Sequence, residues 1–99
     1  MIHLHFVAGS AYRKVYIHHR KISMITPETG FQPMQFDLDN LPKKLNGKEL
    51  GKENLKLLKE ISKLETEEEM KKDVIKDFQS TGWRCIKREV KENQEDADN

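Results

Sequence analysis

The sequence predicts an α+β domain: an antiparallel β-meander of about four strands, two amphipathic helices on one face of that sheet, and a C-terminal strand. Two periods carry the prediction. From Ile2 to Leu38 apolar and polar residues alternate in short runs separated by turn-type residues, and from Lys52 to Ser80 the apolar residues fall at helical spacing. Length is a third constraint, since 99 residues hold one core and leave no room for another. Residues 1–90 are expected to form a single domain. Residues 91–99, KENQEDADN, hold four acids and one small apolar side chain. They are expected to be a disordered acidic tail, because they bury too little to offset the entropy of ordering.

In the first strand Ile2, Leu4 and Phe6 point one way and His3, His5 and Val7 the other. Ala8-Gly9-Ser10-Ala11 is a turn by composition, and alternation resumes from Tyr12 to His18, with Val15 and Ile17 facing away from Tyr12, Lys14, Tyr16 and His18. Centring the turn between Gly9 and Ser10 pairs Leu4 with Val15, Ile2 with Ile17, His3 with Tyr16, His5 with Lys14 and Val7 with Tyr12. A slip of one residue would turn imidazoles into the core, so the pattern selects this register. His19-Arg20 is then a two-residue connection, without the Asn-Gly chemistry such hairpins favour, to a third strand from Lys21 to Thr26. It sets Ile22 against Ile17 and Met24 against Val15. Pro27-Glu28-Thr29-Gly30 is the next turn and Phe31 to Leu38 the fourth strand. Pro33 has no N–H for a ladder bond, so this strand is an edge or is broken near its start.

Leu41 to Leu45 is expected to form one helical turn, ended by Asn46-Gly47. Leu57, Leu58, Ile61 and Leu64 make the apolar stripe of a helix from Lys52 to Leu64. Thr66 followed by Glu67, Glu68 and Glu69 is a capping box that opens a second helix, striped by Met70, Val74, Ile75 and Phe78, with Gly82 as its C′ residue. Trp83 to Val90 reads as the last strand. Its natural partner is the free edge of the first strand, because the fourth carries Pro33; Arg84 and Arg88, or Lys87, then lie beside His3 and His5. Trp83 is a core anchor rather than a ligand platform, and Cys85 a small buried hydrophobe. Leu4, Phe6, Val15, Ile17, Met24, Phe36, Leu58, Ile61, Val74, Phe78 and Trp83 are the expected core.

Composition excludes several functions. A single cysteine rules out an internal disulfide and a Cys-based zinc knuckle. No apolar run approaches the ~18–20 residues of a membrane span, and the first residues lack the basic start and long apolar stretch of a signal peptide. The expectation is a cytoplasmic protein that does not engage a membrane. Gly-rich phosphate loops, nucleophile elbows and zinc-protease helices are missing, so an enzyme is the less favoured reading and no cofactor is expected.

The net charge of +1 conceals an asymmetry. Residues 1–27 contain Arg13, Lys14, Arg20 and Lys21 with no acid, while the rest holds 14 bases against 17 acids, a net −3. All four histidines and both tyrosines lie in that basic segment. His3, His5, Tyr12, Lys14, Tyr16 and His18 share the outward face, and Arg13, Arg20 and Lys21 are expected at its rim. Rings that stack on bases among cations that neutralise phosphates are the means by which single-stranded RNA or DNA is bound, and this is the expected function. Tyrosine is also simply a favoured strand residue, and an exposed sheet face is polar in any case.

The first alternative is a regulatory or inhibitory protein-protein interaction domain, of the kind a phage or other mobile element carries, using the same tyrosines and arginines as contact residues. The second is a metal-free nuclease, with the N-terminal histidines as acid and base and Lys14 or Arg13 stabilising phosphate charge. A three-imidazole metal site from His3, His5 and His18 is disfavoured, because His3 and His18 are diagonal in the register and no carboxylate precedes Glu28.

Overall fold

In the computed structural model, which describes residues 1–27, 30–45 and 49–90, five strands form one antiparallel sheet. They are β1 (Ile2–Ala8), β2 (Ala11–His18), β3 (Lys21–Ile25), β4 (Pro33–Asp37) and, after two helices, β5 (Arg84–Val90), in the spatial order β4-β3-β2-β1-β5. The register of β1 on β2 is Ile2 to Ile17, His3 to Tyr16, Leu4 to Val15, His5 to Lys14 and Val7 to Tyr12, and β3 adds Ile22 opposite Ile17 and Met24 opposite Val15. These are the pairings that keep every imidazole out of the core. β5 closes on the free edge of β1, and β4, which begins at Pro33, is the opposite edge, where a missing N–H costs no ladder bond.

Helices α1 (Glu49–Ser62) and α2 (Glu67–Ser80) complete one hydrophobic core, with Phe6, Val15, Ile17, Leu58, Ile61, Val74 and Phe78 essentially inaccessible to solvent. Phe6 and Phe78 meet at 4.6 Å between ring centroids, and Trp83 is partly buried against the same cluster. The ends of α2 follow from local chemistry. Thr66 accepts from the Glu69 N–H at 3.1 Å, and Glu69 in return accepts from the Thr66 N–H at 3.3 Å. At the other end Gly82, at φ 97°, donates to the Gln79 carbonyl and Trp83 to that of Phe78, which satisfies two orphan carbonyls and folds Trp83 back onto the helix.

The connection between β2 and β3 is held by both helices. His19 takes a left-handed backbone, φ 57°, and its N–H donates to the Glu67 carboxylate at the start of α2. Arg20 donates to the carbonyls of Ser62 (2.8 Å) and Leu64 (2.9 Å) at the end of α1 and to Asp39 (3.0 Å), while its own carbonyl accepts from the Leu38 N–H.

Four expectations are corrected. Arg20 does not lie at the rim of a binding face; its guanidinium caps α1, because terminal carbonyls with no intrahelical partner draw a multiple donor. Arg13 shares the parity of Val15 and Ile17 and is buried, 7% exposed, with its guanidinium 4.5 Å from the Trp83 ring centroid and 5.3 Å from that of Phe78. A long aliphatic stem with a weakly hydrated planar head can occupy an inner row between two aromatic rings. Leu41 to Leu45 forms no helical turn: Leu41 and Leu45 instead pack their side chains on the core from an irregular segment. Phe31 belongs to the turn before β4, at φ 62°, rather than to the strand.

The helix boundaries also differ, α1 running from Glu49 to Ser62 rather than from Lys52 to Leu64. The Asn46-Gly47 break, Glu28-Thr29 and the acidic tail 91–99 lie outside the described residues. No helix among the described residues is long and apolar enough to cross a membrane.

Two outcomes test this packing. Phe78→Ala should cost about 3–5 kcal/mol in denaturant unfolding, as a buried aromatic truncation does. Arg20→Lys, which keeps the charge and loses the fork, should still cost about 1–2 kcal/mol, because one ammonium cannot reach both carbonyls and Asp39 in the same geometry. Wild-type stability of Arg20→Lys would show that the fork adds nothing to what a single cation supplies at the end of α1.

Candidate nucleic-acid interface

With the core and helices on one side, the register arranges the other side of the sheet in four rows. Next to the β1–β2 turn, Arg84, Val7 and Tyr12 lie in line; the next row is Lys87, His5, Lys14 and Ile25; then come Glu89, His3, Tyr16 and Ser23; and His18, Lys21 and Asp37 make the last. Two adjacent strands, β1 and β2, thus bring His3, His5, Tyr12, Lys14, Tyr16 and His18 onto one surface. The strand period alone requires this once the core side is set.

Tyr16 is central to the ring system. Its centroid is 4.6 Å from that of His3 and 6.5 Å from that of His5, both tilted. The His3 ring also contacts the Met1 sulfur, Nε2 to Sδ 3.0 Å. Four residues along β2, Tyr12 stacks on Phe31 at 4.5 Å with 16° between the planes, and the Lys14 ammonium lies 5.5 Å from the Tyr12 centroid. Phe31 is 40% exposed. Beside Tyr12 a recess of about 320 Å³ is lined by His5, Phe6, Val7, Tyr12, Arg13, Lys14 and Ile86.

Ile86 is there because of a bulge. Phe6 pairs with Cys85 but His5 with Lys87, so Ile86 is the extra residue of β5, and it is 57% exposed. Phe31 and Ile86 were not anticipated as surface residues. Two adjacent apolar residues, Cys85-Ile86, were the one available signal for the bulge. Of the expected neighbours of His3 and His5, Lys87 comes opposite His5, whereas Arg84 is opposite Val7, Arg88 is opposite Leu4 with the other parity, and His3 faces Glu89.

Burial pushes the His5 imidazole below its ordinary value of 6.5, with Lys14, Lys87 and then His3 adding to the effect, and Glu89 opposing it. The charged imidazolium is disfavoured at His5 in consequence. The His18 ring packs on His19 at 4.2 Å, and its buried Nδ1 has no hydrogen-bond partner among the described residues. Among the described residues no three His, Cys, Asp or Glu side chains are grouped as metal ligands. Lys21 is exposed at the far corner, in register with Asp37; Arg13 is buried, and Arg20, its side chain 36% exposed, is turned to the end of α1 and Asp39. Compared with known proteins, the chain matches no family model, no curated protein and no solved structure.

The arrangement offers flat rings, cations between them and a shallow apolar recess. Its electrostatics can be checked directly. Lys14→Gln removes the largest charge acting on His5, so the His5 titration followed by NMR should move upward, towards 6.5. An unmoved midpoint would mean that the two side chains do not sense each other.

Proposed function

We propose that the exposed sheet face binds single-stranded RNA or DNA, with Tyr16 and the Tyr12–Phe31 pair as stacking surfaces and Lys14 and Lys87 as phosphate partners. The observation that carries this reading is the alternation of ring and cation along the face. Tyr12 and Tyr16 stand four residues apart on one strand, about 13 Å, with the Lys14 row between them. Base–aromatic stacking tolerates any sequence, and cations neutralise the phosphates between stacked bases, so the arrangement suits a strand read by shape and charge. His3 and His5 extend the ring surface beside Tyr16.

Partial exposure of Ile86, Phe31 and Tyr12 also suits a protein partner, since aromatic and apolar anchors dominate such contacts. Ionic strength separates the two readings. Fluorescence anisotropy with a labelled single-stranded oligonucleotide should give an affinity that falls with salt, with a log–log slope of about −0.7 for each neutralised phosphate. Lys14→Ala should flatten the slope by about one such contact. Tyr16→Ala should weaken binding by roughly 1–3 kcal/mol and leave the slope alone, because stacking releases no ions. Absence of binding at low salt and pH 6 would overturn the nucleic-acid reading in favour of a protein-docking face.

A further inference from the structure

The row Lys87–His5–Lys14 sets three basic side chains side by side on adjacent strands, His5 being the direct partner of both lysines. Neighbouring strands lie about 4.8 Å apart, so the three project from a line of roughly 10 Å. Like charges directly opposite each other destabilise a sheet. Other groups facing His5 are few: His3 on its own strand, Tyr16 and Tyr12 on β2, and Glu89 and Arg84 on β5. Glu89 lies 3.8 Å from the Lys87 ammonium, a long contact on an exposed surface that leaves the row net positive. The helices pack on the other face, against Phe6, Val15 and Ile17.

We infer that this row is the seat of one phosphate group, held between the Lys14 and Lys87 ammoniums over the His5 ring, with the neighbouring recess receiving the group attached to it. The inference rests on the proposed strand binding and deepens it by naming where the phosphate sits. Its chemistry is that of a phosphate oxyanion, which a nucleic-acid backbone or a free phosphate compound could supply.

Proton linkage follows from the geometry. Without ligand, burial and the two lysines beside it disfavour the charged form of His5. A phosphate placed among them reverses the local field and favours the imidazolium, which then donates an N–H to a phosphate oxygen. Binding takes up a proton, so affinity rises as pH falls, between the titration of His5 in the complex and its lower titration in the free protein. The rise is at most about tenfold per pH unit for one linked proton.

The test follows the His5 ring by NMR between pH 5 and 8 in the free protein, with single-stranded oligo(dT), and with inorganic pyrophosphate, alongside affinity measured at each pH. Oligo(dT) is expected to raise the His5 midpoint and to bind more tightly as pH falls. His5→Gln should abolish that pH dependence, and Glu89→Gln, which removes the competing carboxylate, should tighten binding several-fold. Circular dichroism establishes that both variants are folded.

If oligo(dT) binds while the His5 midpoint and the pH dependence stay as they are without it, the phosphate seat is overturned and the strand-binding reading survives. If pyrophosphate alone raises the midpoint and oligo(dT) does not bind, the seat stands and serves a free phosphate compound, and strand binding is what fails. No response to either ligand overturns the seat.

Discussion

Arg20 is the constraint on which the rest of this fold depends. It sits in the two-residue connection between β2 and β3, where an Asn-Gly pair would ordinarily supply the left-handed backbone, and here His19 adopts that conformation instead. The strain is offset by contacts made outside the hairpin, the His19 N–H to Glu67 and the Arg20 guanidinium to Ser62, Leu64 and Asp39. A helix end leaves carbonyls that must be paired, and a hairpin with weak turn chemistry needs an external hold. Each deficiency answers the other. The same residue therefore joins the sheet to the end of α1, with its neighbour touching the start of α2, and positions both helices over one face.

Once the helices are held on that side, the character of the opposite face is a consequence of parity. In a strand the side-chain period is two, so burying Ile2, Leu4 and Phe6 sends His3, His5 and Val7 outward without further choice. β2 obeys the same rule, and the two rules together compel the ring and cation rows. The bulge at Ile86 is the one departure. It lets β5 keep Cys85 in line with Phe6 while Lys87 reaches His5, and it places an apolar residue on the polar side.

How far the sequence could be read depends on which kind of force decided each element. Periodicity and capping decided the register of β1, β2 and β3, the edge position of β4, the capping box at Thr66 and the turn at Gly82, and all of these were legible. Arg13 and Arg20 were assigned to the rim because they are charged and lie near the tyrosines, yet their positions were settled by competition for partners distant in sequence. Arg13 had the parity of Val15 all along; what the sequence did not disclose was that Phe78 and Trp83, more than sixty residues away, would flank its guanidinium. Leu41 to Leu45 misled for a related reason, since two leucines can be buried by packing as easily as by forming a helix. Of the candidate surface, the six residues on β1 and β2 were readable, and the contributions of Phe31 and Ile86 were not.

The near-zero net charge also gains a physical meaning from the layering. On the helix side, Glu60, Asp73 and Asp77 line a groove between α1 and α2 together with Lys63 and Lys76, and burial, followed by Glu60, Asp73 and Glu53 and opposed by Lys56, pushes the Asp77 carboxyl up. On the sheet side, burial followed by Lys14 and Lys87 pushes His5 down. Beyond desolvation, which disfavours the charge on either group, the two displacements report local fields of opposite sign on opposite faces. The faces are separated by a sheet and a layer of helices, about 10 Å of packed protein or more, which is comparable to the Debye length at physiological ionic strength. Neither field cancels the other at close range. A polyanion approaching the sheet meets Lys14, Lys87 and the rings, with Glu89 and Asp37 as the acids in the described rows of that face, so a charge of +1 for the whole chain is compatible with a locally basic surface whose orientation is set by the fold.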